Sequence, residues 1–335
     1  MTATNPSANP AANPSASPTA AEPAPDLKPV EINLVKPNAP VVGRVVASRI
    51  CTAGRKAAGF VRHVEIDVSG TPLAGKVHAG QSFGVIPPGQ QANGKPHKLR
   101  LYSVASPSRG EDGAGNVIAT TCKRTIDEHA ENHTLFLGVC SNYICDLQPG
   151  DLVHLTGPAG KRFVLPAEPN AFSYLFMSTG TGIAPLRGFC YDLLENGCDK
   201  PITLIAGSTY ATDLLYHDEF LSLAQKYPNF RYLTAISREK QADGHDPMYV
   251  DKRLQTERDT LLPQLTAGNT LIYICGLLGM EVGIYRQLTD LLKGPDLEQY
   301  LTITPEALSD PAAWDRKTIG RDVRKTERVF TEVYD

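Results

Sequence analysis

The feature that most constrains this chain is a change of rhythm near Pro166. From about Val41 to Pro166, short apolar runs are broken by Gly and Pro, and Val64, Ile66 and Val68 alternate with polar or charged residues. That period of two marks a half-buried strand. Phe83 to Ile86, Leu99 to Ala105, Val117 to Lys123 and Leu152 to Thr156 read as further strands, and this spacing predicts an antiparallel barrel. After Pro166 the apolar runs Tyr174 to Ser178, Ile202 to Ala206, Phe230 to Ile236 and Leu271 to Cys275 are each separated by a helix-length segment. Pro185 suits the start of one helix and Gly197 its end. Strand–helix alternation requires a parallel sheet wound on both faces, with ligand sites at the carboxyl ends of its strands.

The expected architecture is a two-domain β + α/β protein. An antiparallel β-barrel at 35–167 is followed by a doubly wound parallel-sheet nucleotide-binding domain at 168–335, with the boundary near the loop Pro166 to Asn170. Residues 1–34 form the remainder. The stretch 1–27 contains no Lys or Arg and is mostly Ala, Pro, Asn, Ser and Thr, so it cannot offset its ordering entropy and is expected to be a disordered tail. It lacks the basic start and apolar core of a secretion signal, and it lacks the arginines of a transit peptide.

Composition narrows the function classes. A formal charge of −3 is no footprint for nucleic acid, and no run approaches a membrane span. The seven cysteines are scattered without a CxxC pair, which argues for reduced thiols in the cytoplasm and against zinc or iron–sulfur ligation; no metal is expected.

Four strand-to-turn junctions of the second half carry small residues where a ligand could approach. Ser178-Thr-Gly-Thr-Gly-Ile-Ala-Pro185 exposes backbone N–H groups beside a helix start, which suits a pyrophosphate. Ala206-Gly207-Ser-Thr repeats the pattern. Ser237-Arg238 ends a strand where an acidic residue would select NAD; an Arg with a Ser suits a 2′-phosphate, unless Arg238 pairs with Glu239 at the surface. Cys275-Gly276-Leu-Leu-Gly279-Met280 sets a thiol at a strand's carboxyl edge. In the first half, alternation puts Arg100 and Tyr102 on one face, fit for a flat ring and a phosphate. Gly138-Val-Cys-Ser141 turns into a short helix for which Ser141 is the expected N-cap.

The strings RLYSVAS, GVCSNYICDL, LTGPAGK, STGTGIAPLR, LLYHDEF, AISRE, MYV, YICGLLGME and the terminal EVY occur in the order and spacing of plant-type ferredoxin–NADP reductases, which the chain resembles from about Val35 to Tyr334. The resemblance implies FAD in the barrel and NADP(H) in the α/β domain. It places Arg100, Tyr102 and Ser103 along the flavin, with Tyr102 over one ring face and Ser103 near N5, so the strand must end or bend after Tyr102. Gly138, Val139, Cys140 and Ser141 would hold the FAD pyrophosphate, and Thr181 would lie near both cofactors. Lys123, Ser237, Arg238 and Tyr249 would surround the 2′-phosphate and adenine of NADP, with Gly276 also at the nucleotide. The implied catalytic set is Ser103, Cys275 beside the nicotinamide, Glu332 in proton traffic, and Tyr334 over the second flavin face.

The implied partner is an acidic carrier, ferredoxin or flavodoxin, steered by a basic patch of Lys95, Lys98 and Arg100 with Lys161 and Arg162. A monomer is expected. Two readings compete with ferredoxin–NADP reduction. One is the NADPH-dependent reductase component of an oxygenase or related system; the other is a flavin-bearing interaction protein without turnover. The chain departs from the family at Pro247 and Leu278, where lysines are usual, and at Asp335, which follows the terminal tyrosine.

Overall fold

The structure, a computed structural model, describes residues 24–53 and 60–334; most of the Ala/Pro-rich tail and Asp335 lie outside them. The first half contributes β1 (Val41–Ile50), β2 (Val61–Asp67), β3 (Ser82–Ile86), β4 (Arg100–Ser103), β5 (Val117–Lys123), a hairpin of β6 (Ile126–Glu128) and β7 (Leu135–Leu137), helix α1 (Val139–Asp146) and β8 (Leu152–Ala159). The second half contributes β9 (Ser173–Thr179), α2 (Ile183–Glu195), β10 (Ile202–Ser208), α3 (His217–Lys226), β11 (Phe230–Ile236), α4 (Arg253–Thr256), α5 (Arg258–Thr266), β12 (Thr270–Leu277), α6 (Met280–Leu291), the short pair β13 (Leu301–Ile303) and β14 (Val323–Lys325), and β15 (Val329–Tyr334).

Six strands of the first half form one antiparallel sheet in the order β4-β3-β8-β1-β2-β5. Its ends meet: Val104 bridges Thr120, and the Ala105 N–H donates to Ala119 O at 2.8 Å. The sheet is therefore a barrel, with Val64, Ile66, Phe83, Ile118 and Leu155 at its core, each no more than 1% exposed. Burying such side chains stabilises the fold by roughly 1.5–3 kcal/mol each.

The second sheet is parallel, in the order β11-β10-β9-β12-β15. Alternation sends Tyr174, Phe176, Leu204 and Tyr273 to one face, against α2 and α3. Leu175, Met177, Ile205 and Ile274 go to the other, against α5 and α6. Burial on both faces explains why these strands read as unbroken apolar runs. Helix α2 starts at Ile183, two residues before Pro185, through a 3₁₀ turn at Gly180–Gly182. It ends at Gly197 (φ 78°), with Gly197 N–H donating to Leu194 O and Cys198 N–H to Leu193 O, a Schellman closure.

The reading of 1–34 as tail needs correction at its end. Residues 24–35 run along the molecule: Lys28 N–H donates to Leu165 O (3.0 Å), Ala167 N–H to Asp26 O (2.8 Å) and Asn33 N–H to Pro158 O (2.7 Å). Leu27 packs on the core cluster of the α/β half, so one apolar side chain and borrowed backbone partners order a segment whose composition alone would not.

The two halves meet across a charged seam. Arg187 of α2 is 6% exposed at its side chain and donates to Glu111 (2.6 Å), Glu219 (2.7 Å) and Ala105 O (3.0 Å). Arg49 of β1 also reaches Glu219 at 2.7 Å. The Tyr216 hydroxyl bonds His63 Nδ1 (2.8 Å) and Thr121 across the same seam. Tyr216 itself adopts a left-handed backbone (φ 56°), a conformation costing about 1–3 kcal/mol in a bulky residue, which these bonds hold in place. His63 Nε2 faces Glu65 and Glu111 at 3.4 and 3.5 Å, and the cation resting on Glu111 is Arg187.

Candidate active site

A first cleft of about 540 Å³ opens beside β4 and the start of α1. Arg100 and Tyr102 line it from one strand face, as alternation requires. Gly138, Val139, Cys140 and Ser141 line it from the first turn of α1, whose N–H groups have no acceptor within the helix. Gly138 is required: a Cβ there would lie 2.6 Å from Ser141 Oγ and 2.8 Å from Thr125 Cβ. The same contact corrects the expected cap. Gly138 occupies the N-cap position, and Ser141 sits inside the helix, accepting from Thr125 N–H and donating to Gly138 O, both at 3.2 Å. Burial, reinforced by the Cys122 and Cys140 thiols, raises the Tyr102 phenol far above its usual range, so its ring stays neutral.

A second cleft of about 660 Å³ lies along the carboxyl edge of the parallel sheet. It gathers Thr181 after β9, Gly207 to Thr209 after β10, Ser237 and Arg238 after β11, Tyr249, Leu277 and Tyr334, together with Lys123 from the barrel. The chain adds β10 and β11 on one side of β9 and β12 on the other, so the Thr181 turn sits at the point where the winding reverses, the place such sheets bind ligands. Glu239, the alternative partner of Arg238, accepts from the Ala211 N–H at 2.5 Å.

The expected catalytic residues are distributed around these clefts. Tyr334 lines the second one; its hydroxyl is 2.8 Å from Thr181 Oγ1 and donates to Thr179 O at 3.3 Å. Cys275 is 2% exposed beneath the cleft, paired in the sheet with Ser178 and Glu332. Burial, then the Glu332 carboxylate, raises its thiol well above the ordinary range, so it remains protonated. Burial also pushes the Glu332 carboxyl up to about 7 against the opposing pull of Lys325. Lys325 is tethered beside it, donating to Thr331 Oγ1 at 2.7 Å. Ser103 is still paired with Ser82 as the last residue of β4, so the break expected after Tyr102 is not there; Ser103, Glu332, Cys275 and Gly276 line neither cleft. Lys98, expected at the docking patch, lines the first cleft, while Lys95, Lys161 and Arg162 are exposed.

Sequence reasoning missed Phe136, an exposed aromatic of the β6–β7 hairpin that lines the first cleft, because only three-residue strands present it. It also missed Thr179. Thr179 Oγ1 accepts from Leu277 N–H at 2.9 Å, and a side chain at Gly276 would come within 2.2 Å of that oxygen. The signal available was the Gly-rich strand end itself.

Residues 176–285 match the family model of the oxidoreductase NAD-binding domain. The chain is similar to the ferredoxin–NADP reductase of Thermosynechococcus vestitus, at 38% identity over 281 residues, covering 81% of this chain and 72% of the relative. It is 40% identical over 261 residues to the chloroplastic ferredoxin–NADP reductase of Spinacia oleracea, covering 76% and 69% of the two chains. Its fold is shared with a solved ferredoxin–NADP⁺ reductase from Plasmodium falciparum, at TM-score 0.64 and 24% identity, over 90% of this chain and 99% of the other.

Proposed function

The chain belongs to the ferredoxin–NADP reductase family, and from that premise we propose how its residues carry out the exchange of electrons between NADP(H) and ferredoxin. The residues present fit the cofactors of that reaction. The first cleft offers an aromatic ring, a guanidinium and a helix start narrowed by a necessary glycine, the requirements of FAD. The second offers Arg238, Lys123 and Ser237 for a 2′-phosphate and the exposed ring of Tyr249 for a base, the requirements of NADP(H). This joint occurrence on one chain is the observation that carries the reading.

In this reading Arg100 and the α1 N–H groups hold the FAD pyrophosphate. Tyr102 would cover one face of a bound flavin, and Ser103, next to it in β4, would serve the same ring. Phe136, on the lining of the same cleft, offers a further aromatic platform. Bound FAD supplies the chemistry of taking two electrons with hydride and releasing them one at a time. Tyr334 guards the approach of the nicotinamide and must surrender its contacts to Thr181 and Thr179 to admit it. Cys275, kept as a neutral thiol, offers an uncharged surface beneath, and Gly276 keeps the backbone there slim. Glu332 holds a proton near neutrality. Lys95, Lys98 and Lys161 steer the acidic carrier, ferredoxin or flavodoxin. The seven thiols, all free and buried, fit a reducing compartment, and we place the enzyme in the cytoplasm as a monomer. No helix among the described residues is long and apolar enough to cross a membrane.

The test is direct. Purified protein should bind FAD, show the flavin's visible bands, and bleach anaerobically with NADPH much faster than with NADH. Ferredoxin reduction should slow as salt screens the basic face, over a Debye length of about 8 Å at physiological ionic strength. A protein that takes up no flavin, or equal bleaching rates with the two nucleotides, counts against the reading. Glu332 carries a separate expectation. Its carboxyl is protonated below about 7 and charged above, so the pH profile of turnover should contain an inflection there that Glu332→Gln removes. An unchanged profile in that variant rejects the proton role.

A further inference from the structure

Arg238 and Tyr249 both face the second cleft, yet residues 239–248 between them contain no helix or strand. An unsupported loop of this length would leave the two groups without a fixed separation, and a subsite that reads a phosphate and a base together needs one. The support lies underneath. Arg253, at the start of α4, is 0% exposed. Its Nε donates to Thr234 O on β11 at 2.6 Å, and its Nη2 donates to Gln241 Oε1 at 3.0 Å and Asp243 Oδ2 at 2.5 Å. Its Nη1 faces Glu257 at 3.5 Å.

Gln241, itself 5% exposed, is the loop's knot. Its Oε1 also accepts from Ile236 N–H (3.1 Å), and its Nε2 donates to Asp246 O (3.2 Å). The Met248 N–H then returns to Ile236 O at 2.8 Å, setting Tyr249 next to the strand end that carries Ser237 and Arg238. A fully buried guanidinium is expensive unless every lobe is paired. Here Nε and Nη2 are paired with a strand carbonyl, a loop amide and a loop carboxylate, while Nη1 makes no hydrogen bond and has only the Glu257 carboxylate at 3.5 Å. An apolar residue would fill the same volume without joining those elements.

We propose that Arg253 is a positioning residue for nucleotide specificity: it never touches NADP(H), but fixes the 239–248 loop so that Arg238 and Tyr249 meet the 2′-phosphate and the adenine at once. This rests on the reading of the second cleft as the NADP(H) site. It predicts damage confined to recognition of the phosphorylated nucleotide, which a general loss of packing would not produce.

The experiment uses the FAD-loaded enzyme, with 2′-phospho-AMP and 5′-AMP as probes that lack the nicotinamide, alongside kcat and KM for NADPH and NADH. Arg253→Met should weaken 2′-phospho-AMP binding and raise KM for NADPH by roughly tenfold, the size of one misplaced charge-assisted contact. kcat at saturating NADPH and KM for NADH should stay within about twofold. Asp243→Ala removes a half-exposed partner and leaves Glu257 beside the guanidinium, so it is the milder variant; it should move the same two quantities in the same direction by about threefold. The proposal is overturned if Asp243→Ala, and Arg253→Met where it folds, leave 2′-phospho-AMP affinity within about twofold, or if both nucleotides lose kcat equally. A wild-type enzyme that binds 2′-phospho-AMP no better than 5′-AMP overturns the assignment of the cleft, and the proposal with it.

Discussion

Arg238→Ala should raise KM for NADPH by roughly 10- to 100-fold while changing KM for NADH by no more than about twofold, because one or two charge-assisted hydrogen bonds of about 1.5–3 kcal/mol are lost for the phosphorylated nucleotide alone. The residue stands exposed at the end of β11, and Glu239 is engaged elsewhere, so the guanidinium is not committed to its neighbour. Pro247 and Leu278 occupy positions where the family often supplies lysines, which leaves Arg238 and Lys123 as the main cations for the 2′-phosphate. Lys123 arrives from the barrel, and because both cations would meet one phosphate, their losses should couple rather than simply add. The double variant should lose nearly all preference for NADPH. Steady-state kinetics with both nucleotides decides it: equal rises in KM for NADPH and NADH would remove Arg238 from the role.

Arg187→Met should destabilise the protein by about 3–5 kcal/mol, the usual effect of stripping the partner from a buried charge, and lower the melting temperature by roughly 10 °C. Glu111 and Glu219 would both face Met in place of a guanidinium at a seam where Arg187 is almost fully enclosed. The pH dependence is specific. Burial raises the Glu111 carboxyl, but His63 and Arg187 outweigh it and take it from 4.5 down to about 2. A carboxyl depressed in the fold contributes stability above its unfolded value. That contribution, about 3 kcal/mol, fades as pH falls from 4.5 toward about 2. The wild type should therefore weaken steeply through this window, and Arg187→Met should show a flatter acid limb from a lower plateau. Melting curves between pH 2.5 and 7 test both parts. A loss below about 1 kcal/mol at neutral pH, or parallel acid limbs, would contradict the assignment.

The fold was legible where periodicity is local. The strands of the wound sheet announce themselves as apolar runs because helices cover both faces, and the barrel strand Val61–Asp67 shows alternation at its Val64–Asp67 end, where Glu65 and Asp67 are only partly buried. Part of the lining of the second cleft was legible for a related reason: Thr181, Ser237 and Arg238 stand just past strand ends, which any reading of strand boundaries marks. What escaped depends on contacts distant in sequence. The cap at Gly138 was decided by Thr125, thirteen residues away, and not by the better capping side chain of Ser141. Arg187 meets Glu111 across 76 residues, and Tyr216 meets His63 across 153. The segment around Leu27 was misjudged because its order is lent by Leu165 and Pro158, which composition does not register. Arg253 carried no motif at all; its importance lies in what it joins.

The seam between the halves also decides how reactants can come and go. Swinging the domains apart would separate Glu111 from Arg187, Arg49 from Glu219 and His63 from Tyr216 in one movement. Turning the ring of Tyr334 aside breaks two contacts of one hydroxyl. On the proposed reading, the cheaper passage is a single aromatic door in a rigid frame, and a door of that size would open on the fast timescale of side-chain rotation, well ahead of the microsecond-to-millisecond pace of a hinge.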